Sequence, residues 1–192
     1  MRLILISASP RRRELLERLG WTVEVRPAEV EETLTEGLSP PQQAMLLALR
    51  KLATVLPTLA SDEVALAADT IVYHAGTILG KPKSLSEAQD FLNRLSNSWH
   101  TVYTGVAIGT THRCWTLYEE TAVRFHPLPE ELIQIYLTKM PPLDKAGAYG
   151  AQDLIGLLGI AEIHGDFYNV MGLPLQRIAR FWQQVFGKVF VG

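Results

Sequence analysis

The strongest constraint on the fold lies in the first thirteen residues, where the apolar run Leu3-Ile4-Leu5-Ile6 passes straight into Ser7-Ala8-Ser9-Pro10 and then Arg11, Arg12 and Arg13. A short apolar run bounded by turn signals reads as a buried strand. Ser9 followed by Pro10 reads as a helix cap and first helical residue, with Leu15, Leu16 and Leu19 marking the helix that follows. Arg11 and Arg12 then fall in the first turn, where free N–H groups and the helix dipole favour anions. Cations placed there make sense if an anion sits among them. The pattern therefore predicts a phosphate-bearing small molecule as ligand.

The rest of the chain reads as alternating strands and helices. Trp21 to Val25 is a second strand, and the acidic segment Glu29-Val30-Glu31-Glu32 follows it. Ser39-Pro40 opens a helix with Gln42 at the capping-box position, and this helix is expected to run to about Leu56, where Pro57 stops it. Val64 to Tyr73 is a strongly apolar strand, with a turn at His74-Ala75-Gly76-Thr77 leading back into Ile78-Leu79. A helix capped by Ser84 and Glu87 ends near Leu95. Thr101–Ile108 and Cys114–Phe125 are strands around a turn, Pro129–Lys139 is a helix, and the apolar segment Phe181 to Val191 is expected to pack on the body. The alternation predicts an α/β protein with a mixed sheet.

The chain has 192 residues, 47% of them apolar and 20% charged, which suits one ordered domain spanning 1–192. A net charge of -2 provides no basic field for nucleic acid. The single cysteine, Cys114, excludes an internal disulfide framework. The N-terminal apolar run is too short for a signal segment, and no stretch is long enough to span a bilayer, so a soluble cytoplasmic protein without a membrane partner is expected.

Several residues stand against their surroundings. Asp69 interrupts the apolar strand within Leu66-Ala67-Ala68-Asp69-Thr70-Ile71-Val72, where an unpaired carboxylate costs several kcal/mol, roughly, to bury. It is either a base, a metal ligand, or a structural carboxylate paired nearby. Lys51 lies on the apolar helix face marked by Ala44, Leu47, Ala48 and Val55, and either snorkels to the edge or directs an ammonium at phosphate or carboxylate. Lys81 is held between Gly80 and Pro82. Together with Arg11 and Arg12, these lysines could neutralise a triphosphate, although the G-x-x-x-x-G-K-[ST] loop is absent. Glu31 and Glu32, with Asp69, offer oxygen ligands for Mg²⁺, or else form a solvated acidic loop. Ser7 and Ser9 suit capping and phosphate hydrogen bonds better than nucleophilic roles. The five histidines have no ligand spacing. In the loop from Asp144 to Asp153, Lys145 supplies charge, Tyr149 an aromatic wall and Gln152 an amide able to read a base edge.

Taken together, Ser7-Ala8-Ser9-Pro10-Arg11-Arg12, Val30-Glu31-Glu32, Ala68-Asp69-Thr70, Gly80-Lys81-Pro82, the Asp144–Gln152 loop and Gly172-Leu173-Pro174-Leu175 resemble the Maf family of nucleoside triphosphate pyrophosphatases over essentially the whole chain. The resemblance implies a mixed twisted sheet flanked by helices, in two lobes with a central cleft, similar to inosine triphosphate pyrophosphatase. It also implies hydrolysis of the α–β phosphoanhydride to a nucleoside monophosphate and pyrophosphate, with Mg²⁺ or Mn²⁺. On the family pattern, Asp69 is the proton acceptor and, with Glu32, a metal ligand. Arg12, Thr70 and Gln152 match specificity positions, while Lys51 and Lys81 line the phosphate site. Ser7, Ser9, Arg11 and Lys145 complete the expected substrate contacts. The double arginine, Asp-Thr and Ala-Tyr-Gly-x-Gln are similar to the branch acting on dTTP and UTP. Asp153 departs from the family, which usually has glycine there, and so bears on substrate preference. A homodimer is compatible with the resemblance, and a nucleotide-binding regulator of cell division without turnover is the non-enzymatic alternative.

Overall fold

A computed structural model describes residues 1–28 and 30–192; Glu29 of the acidic segment lies outside the described residues. The chain is an α/β protein whose strands hydrogen-bond in the order β2-β1-β3-β5-β6-β7, with β4 pairing with β3. These strands are β1 (Arg2–Ile6), β2 (Val23–Val25), β3 (Glu63–His74), β4 (Thr77–Leu79), β5 (Trp99–Gly109), β6 (Cys114–Phe125) and β7 (Ile160–His164). Pairing is mixed: β1 runs parallel to β2 and β3, whereas β3–β4 and β6–β7 are antiparallel. The chain divides into two compact units, one comprising Met1–Asp69, Thr104–Glu119 and Gly172–Gly192, the other Thr70–Tyr103 and Glu120–Met171.

In the first unit, β1 pairs with β3 in the register Leu3–Val64 and Leu5–Leu66. All four apolar residues of β1 are buried, as a parallel strand covered on both faces requires. Helix α1 (Pro10–Glu17) starts at the expected proline. Helix α2 (Pro40–Ala53) lays Ala48 and Leu52 against Ile4, Ile6, Ala65, Ala67 and Ala107. It ends earlier than the sequence suggests. The Thr54 hydroxyl donates to the Lys51 carbonyl and Val55 N–H to the Leu52 carbonyl, so the ladder tightens before a short 3-10 turn at Leu56–Thr58 absorbs Pro57. Gly105 allows a close approach here: a Cβ at that position would stand 2.2 Å from the Ala44 carbonyl carbon of α2.

The C-terminal helix (Leu175–Phe186) ends at Gly187 with φ 64. Trp182 and Phe190 are buried and group with Trp21, with ring centroids 4.9–5.6 Å apart. Only part of the Phe181–Val191 segment packs as expected. Val185 faces solvent on the helix itself, and Val189 and Val191 stay exposed beyond it, where the chain turns back only far enough for Gly192 N–H to reach the Leu19 carbonyl.

In the second unit, α3 (Leu85–Leu95) is capped by Ser84, whose hydroxyl accepts from Glu87 N–H at 3.1 Å. With α4 (Glu130–Lys139) it packs on a core that includes Val72, Leu92, Phe125, Ile133 and Tyr136. The aliphatic run after Asp153 resolves into α5 (Leu154–Gly159) and β7, and α6 (Phe167–Val170) follows. No helix among the described residues is long and apolar enough to cross a membrane.

Candidate active site

The first unit brings Asp69, Lys51, Glu32, Ser7 and Arg12 into one neighbourhood through simple periodicities. Successive side chains of a strand alternate faces, so Ala65, Ala67 and Asp69 share the face of β3 covered by α2. Ala44, Leu47, Ala48 and Lys51 recur on one face of α2 at the spacing of a helical turn. Lys51 is therefore buried opposite Asp69, and its Nζ donates to Asp69 Oδ1 and to Glu32 Oε1, the latter at 2.8 Å. Glu32 comes from the irregular segment after β2. That segment is tied to α2 by Arg50, which donates to the Thr33 carbonyl at 2.9 Å and to the Thr35 hydroxyl at 3.1 Å. Glu31 is exposed.

Asp69 is 4% exposed. Burial raises its pKa above the usual carboxylate range; Glu32 adds to this, and Lys51 and Arg12 oppose it. The Asp69 carboxyl is thus a buried titratable group in contact with an ammonium.

Ser7, at the end of β1, is buried, and its Oγ accepts from Ser9 N–H at 3.2 Å and from the Arg12 guanidinium at 3.1 Å. Arg12 Nε donates to the Gly172 carbonyl at 2.7 Å, which fixes the guanidinium plane. Burial lowers the pKa of Arg12, while Asp69 acts to hold the positive charge. Ser9 has the extended backbone of a cap, but its side chain makes no capping bond, and its own N–H donates to the Ser7 hydroxyl. Of the three arginines, Arg13 leaves the group to pair with Glu17 at 2.6 Å on the exposed face of α1. Arg11 is half-buried in the first turn.

The second unit holds the other expected residues. Thr70 is half-buried and Lys81 is exposed. The backbone around Lys81 is anchored by the Gly80 carbonyl, which accepts from Gly147 N–H at 3.0 Å. Lys145 Nζ lies 2.8 Å from Asp144 and 3.4 Å from Asp153. Gln152 is half-buried, and its Oε1 is shielded from solvent with no hydrogen-bond partner among the described residues. A buried amide oxygen in that state is suited to a ligand N–H.

Sequence reasoning missed the supports of this loop. Tyr149 is buried edge-on to Phe125, and its hydroxyl lies 2.7 Å from His100 Nε2. Burial pushes the His100 pKa down to about 3, so the imidazole is neutral at physiological pH. Its signal was faint: the histidine stands just before the alternating Thr101–Ile108 run. Tyr136, which donates to Asp153 at 3.0 Å, gave none beyond its place on an apolar helix face.

Two carboxylates, Asp69 and Glu32, converge on the single point held by Lys51 Nζ. Among the described residues no group of three or more His, Cys, Asp or Glu is placed to hold a metal ion. A hard divalent cation that takes its other ligands from substrate phosphates and water needs only one or two carboxylates. In this structure the Lys51 ammonium takes the point between the two carboxylates.

A buried acid–lysine centre beside a strand-to-helix turn that carries arginines defines an α/β protein built to hold an anionic substrate against a base. The chain belongs to the Maf family: residues 2–185 match the family described as Maf-like protein. A dTTP/UTP pyrophosphatase of Thermotoga maritima is 44% identical over 189 residues, covering 98% of this chain and 90% of the relative. A dTTP/UTP pyrophosphatase of Bacillus anthracis is 46% identical over 183 residues, covering 95% of each. Among solved structures, the nucleoside-triphosphatase / dITP/XTP pyrophosphatase of Mycobacterium abscessus shows 15% identity and a TM-score of 0.40, over 67% of this chain and 76% of that one.

Proposed function

We propose that the protein hydrolyses the α–β phosphoanhydride of dTTP and UTP, releasing the nucleoside monophosphate and pyrophosphate. The observation that carries this reading is the buried Asp69 carboxylate held by Lys51 and Glu32, next to an Arg12–Ser7 pair at the start of α1. Relatives 44–46% identical over nearly the whole chain bear the name of that activity and support the choice of substrate.

In this reading Asp69 takes the proton from the attacking water, which its raised pKa favours. Lys51 keeps the carboxylate oriented and limits how far burial raises that pKa. Arg11 and Arg12, together with the backbone N–H groups at the start of α1, meet the charge that grows on the phosphates. Ser7 holds Arg12 in place, and Ser9 adds a hydroxyl at the helix entrance. Thr70, Lys81, Lys145 and Gln152 are assigned to the same substrate from the family pattern: Lys81 and Lys145 to phosphate, Thr70 and Gln152 to selectivity. The buried Oε1 of Gln152 accepts the ring N–H that thymine and uracil share. Asp69 and Glu32 would hold Mg²⁺ or Mn²⁺, which supplies Lewis-acid polarisation of phosphate oxygens and acidification of bound water.

The test is product identity. Incubation of dTTP or UTP with the protein and Mg²⁺ should yield monophosphate and pyrophosphate in equal amounts. Orthophosphate as the first product contradicts the reading, as does triphosphate that stays bound and intact for hours; the latter describes a nucleotide-sensing regulator.

A further inference from the structure

The loop from Lys145 to Asp153 has an unusual backbone. Gly147 (φ 65) and Ala148 (φ 60) are consecutive left-handed residues, and alanine adopts that conformation only where its surroundings enforce it. One enforcing contact is the Tyr149–His100 hydrogen bond in the middle of the loop. The other is at its end. The Asp153 carboxylate, 7% exposed, accepts from the Tyr136 hydroxyl of α4 at 3.0 Å and lies 3.4 Å from Lys145 Nζ at the start of the loop. It also folds back over Gly150, where a Cβ would come within 2.6 Å of Asp153 Oδ2, and Asp153 N–H donates to the Gly150 carbonyl at 3.0 Å. One buried carboxylate thus joins the two ends of the loop to each other and to α4. Gln152, with its unpartnered buried oxygen, is the residue immediately before it.

We propose that Asp153 is a positioning residue: a clasp that closes the 145–153 loop and thereby fixes where Gln152 and Lys145 meet the substrate. This rests on the reading that the loop binds the nucleotide. A loop closed by a buried ion pair and a phenol hydrogen bond presents one arrangement of the Gln152 amide. An open loop lets that amide rotate and present N–H₂ in place of oxygen, which weakens rejection of a base carrying an acceptor at the same ring position, such as cytosine.

Asp153→Ala removes both the charge and the acceptor, Asp153→Asn removes the charge only, and Tyr136→Phe removes the phenol bond only. Steady-state hydrolysis of dTTP and dCTP with Mg²⁺ should show KM for dTTP rising roughly tenfold in Asp153→Ala while kcat stays within about twofold. The dTTP:dCTP ratio of kcat/KM should fall by a similar factor, with Asp153→Asn and Tyr136→Phe intermediate. Amide hydrogen exchange across 146–152 should accelerate in the same order, a readout that does not depend on turnover. Unchanged exchange and unchanged discrimination in the variants overturn the clasp. So does a uniform loss of thermal stability with the dTTP:dCTP ratio intact. If Asp153→Ala does not fold, the other two variants carry the same comparison. A wild-type protein that releases pyrophosphate from no triphosphate defeats the functional reading, and the exchange series then judges the clasp by itself.

Discussion

Lys51 and Asp69, 18 residues apart in the chain, meet as an ion pair buried on both sides, with Glu32 accepting a second bond from the ammonium. Neither charge is tolerable there alone: removing one partner of a buried pair leaves an uncompensated charge in a low-dielectric interior. Burial raises the pKa of Asp69, and Lys51 opposes that rise.

Replacement of Asp69 by Asn should abolish most turnover, by about 10² or more, because the amide cannot accept the proton. Release of dTMP and pyrophosphate measures this, and far-ultraviolet circular dichroism checks that the fold persists. Wild-type rates in a folded variant remove Asp69 from the mechanism.

The pH dependence of stability provides a second reading of the same group. The folded-state pKa of Asp69 is raised, so the folded protein binds its proton more tightly than the unfolded chain does. Its contribution to stability is complete below the unfolded pKa and is lost as pH rises through the folded one. The stability of Asp69→Asn relative to wild type should therefore increase with pH across that window, as followed by urea denaturation.

Glu63 should behave in the opposite sense. It is buried and accepts from Arg26 at 2.7 and 3.1 Å and from Ala60 N–H at 2.9 Å, and these bonds, led by the Arg26 contact, depress its pKa. The stabilisation is present above the unfolded pKa and is lost as pH falls through the folded one. Glu63→Gln should be less stable than wild type at neutral pH, and the deficit should shrink on acidification. A deficit independent of pH assigns the effect to packing.

Lys51→Met leaves two carboxylates facing each other without their ammonium. A loss of about 3–5 kcal/mol in unfolding free energy is expected, with a further rise in the Asp69 pKa. Denaturant titration measures the first. An upward shift of the acid limb of any residual activity measures the second.

Gly105→Ala forces a methyl to within 2.2 Å of the α2 backbone. The helix must move off the strand, at a cost of about 1–3 kcal/mol or more, and Lys51 moves with it. Both melting temperature and turnover should fall. A variant with wild-type melting behaviour would show that the close approach is not needed.

Much of this was legible in the chain itself. Apolar runs, proline positions and capping pairs located β1, α1, α3 and α4 because those signals are local: they depend on neighbours within a turn or a pleat. Asp69 and Lys51 stood out because a charge on an apolar face has to be accounted for wherever the face is buried. What remained open was which account held, since a snorkelling lysine and a paired one have the same sequence. Only the packing of α2 across β3 placed ammonium and carboxylate in contact. In the same way, Tyr136 in α4 and His100 in β5 lie outside the 145–153 loop, and nothing nearby in sequence ties them to it. Their pairing is a long-range consequence of α4 and β5 sharing one core with that loop, so tertiary structure alone decides it.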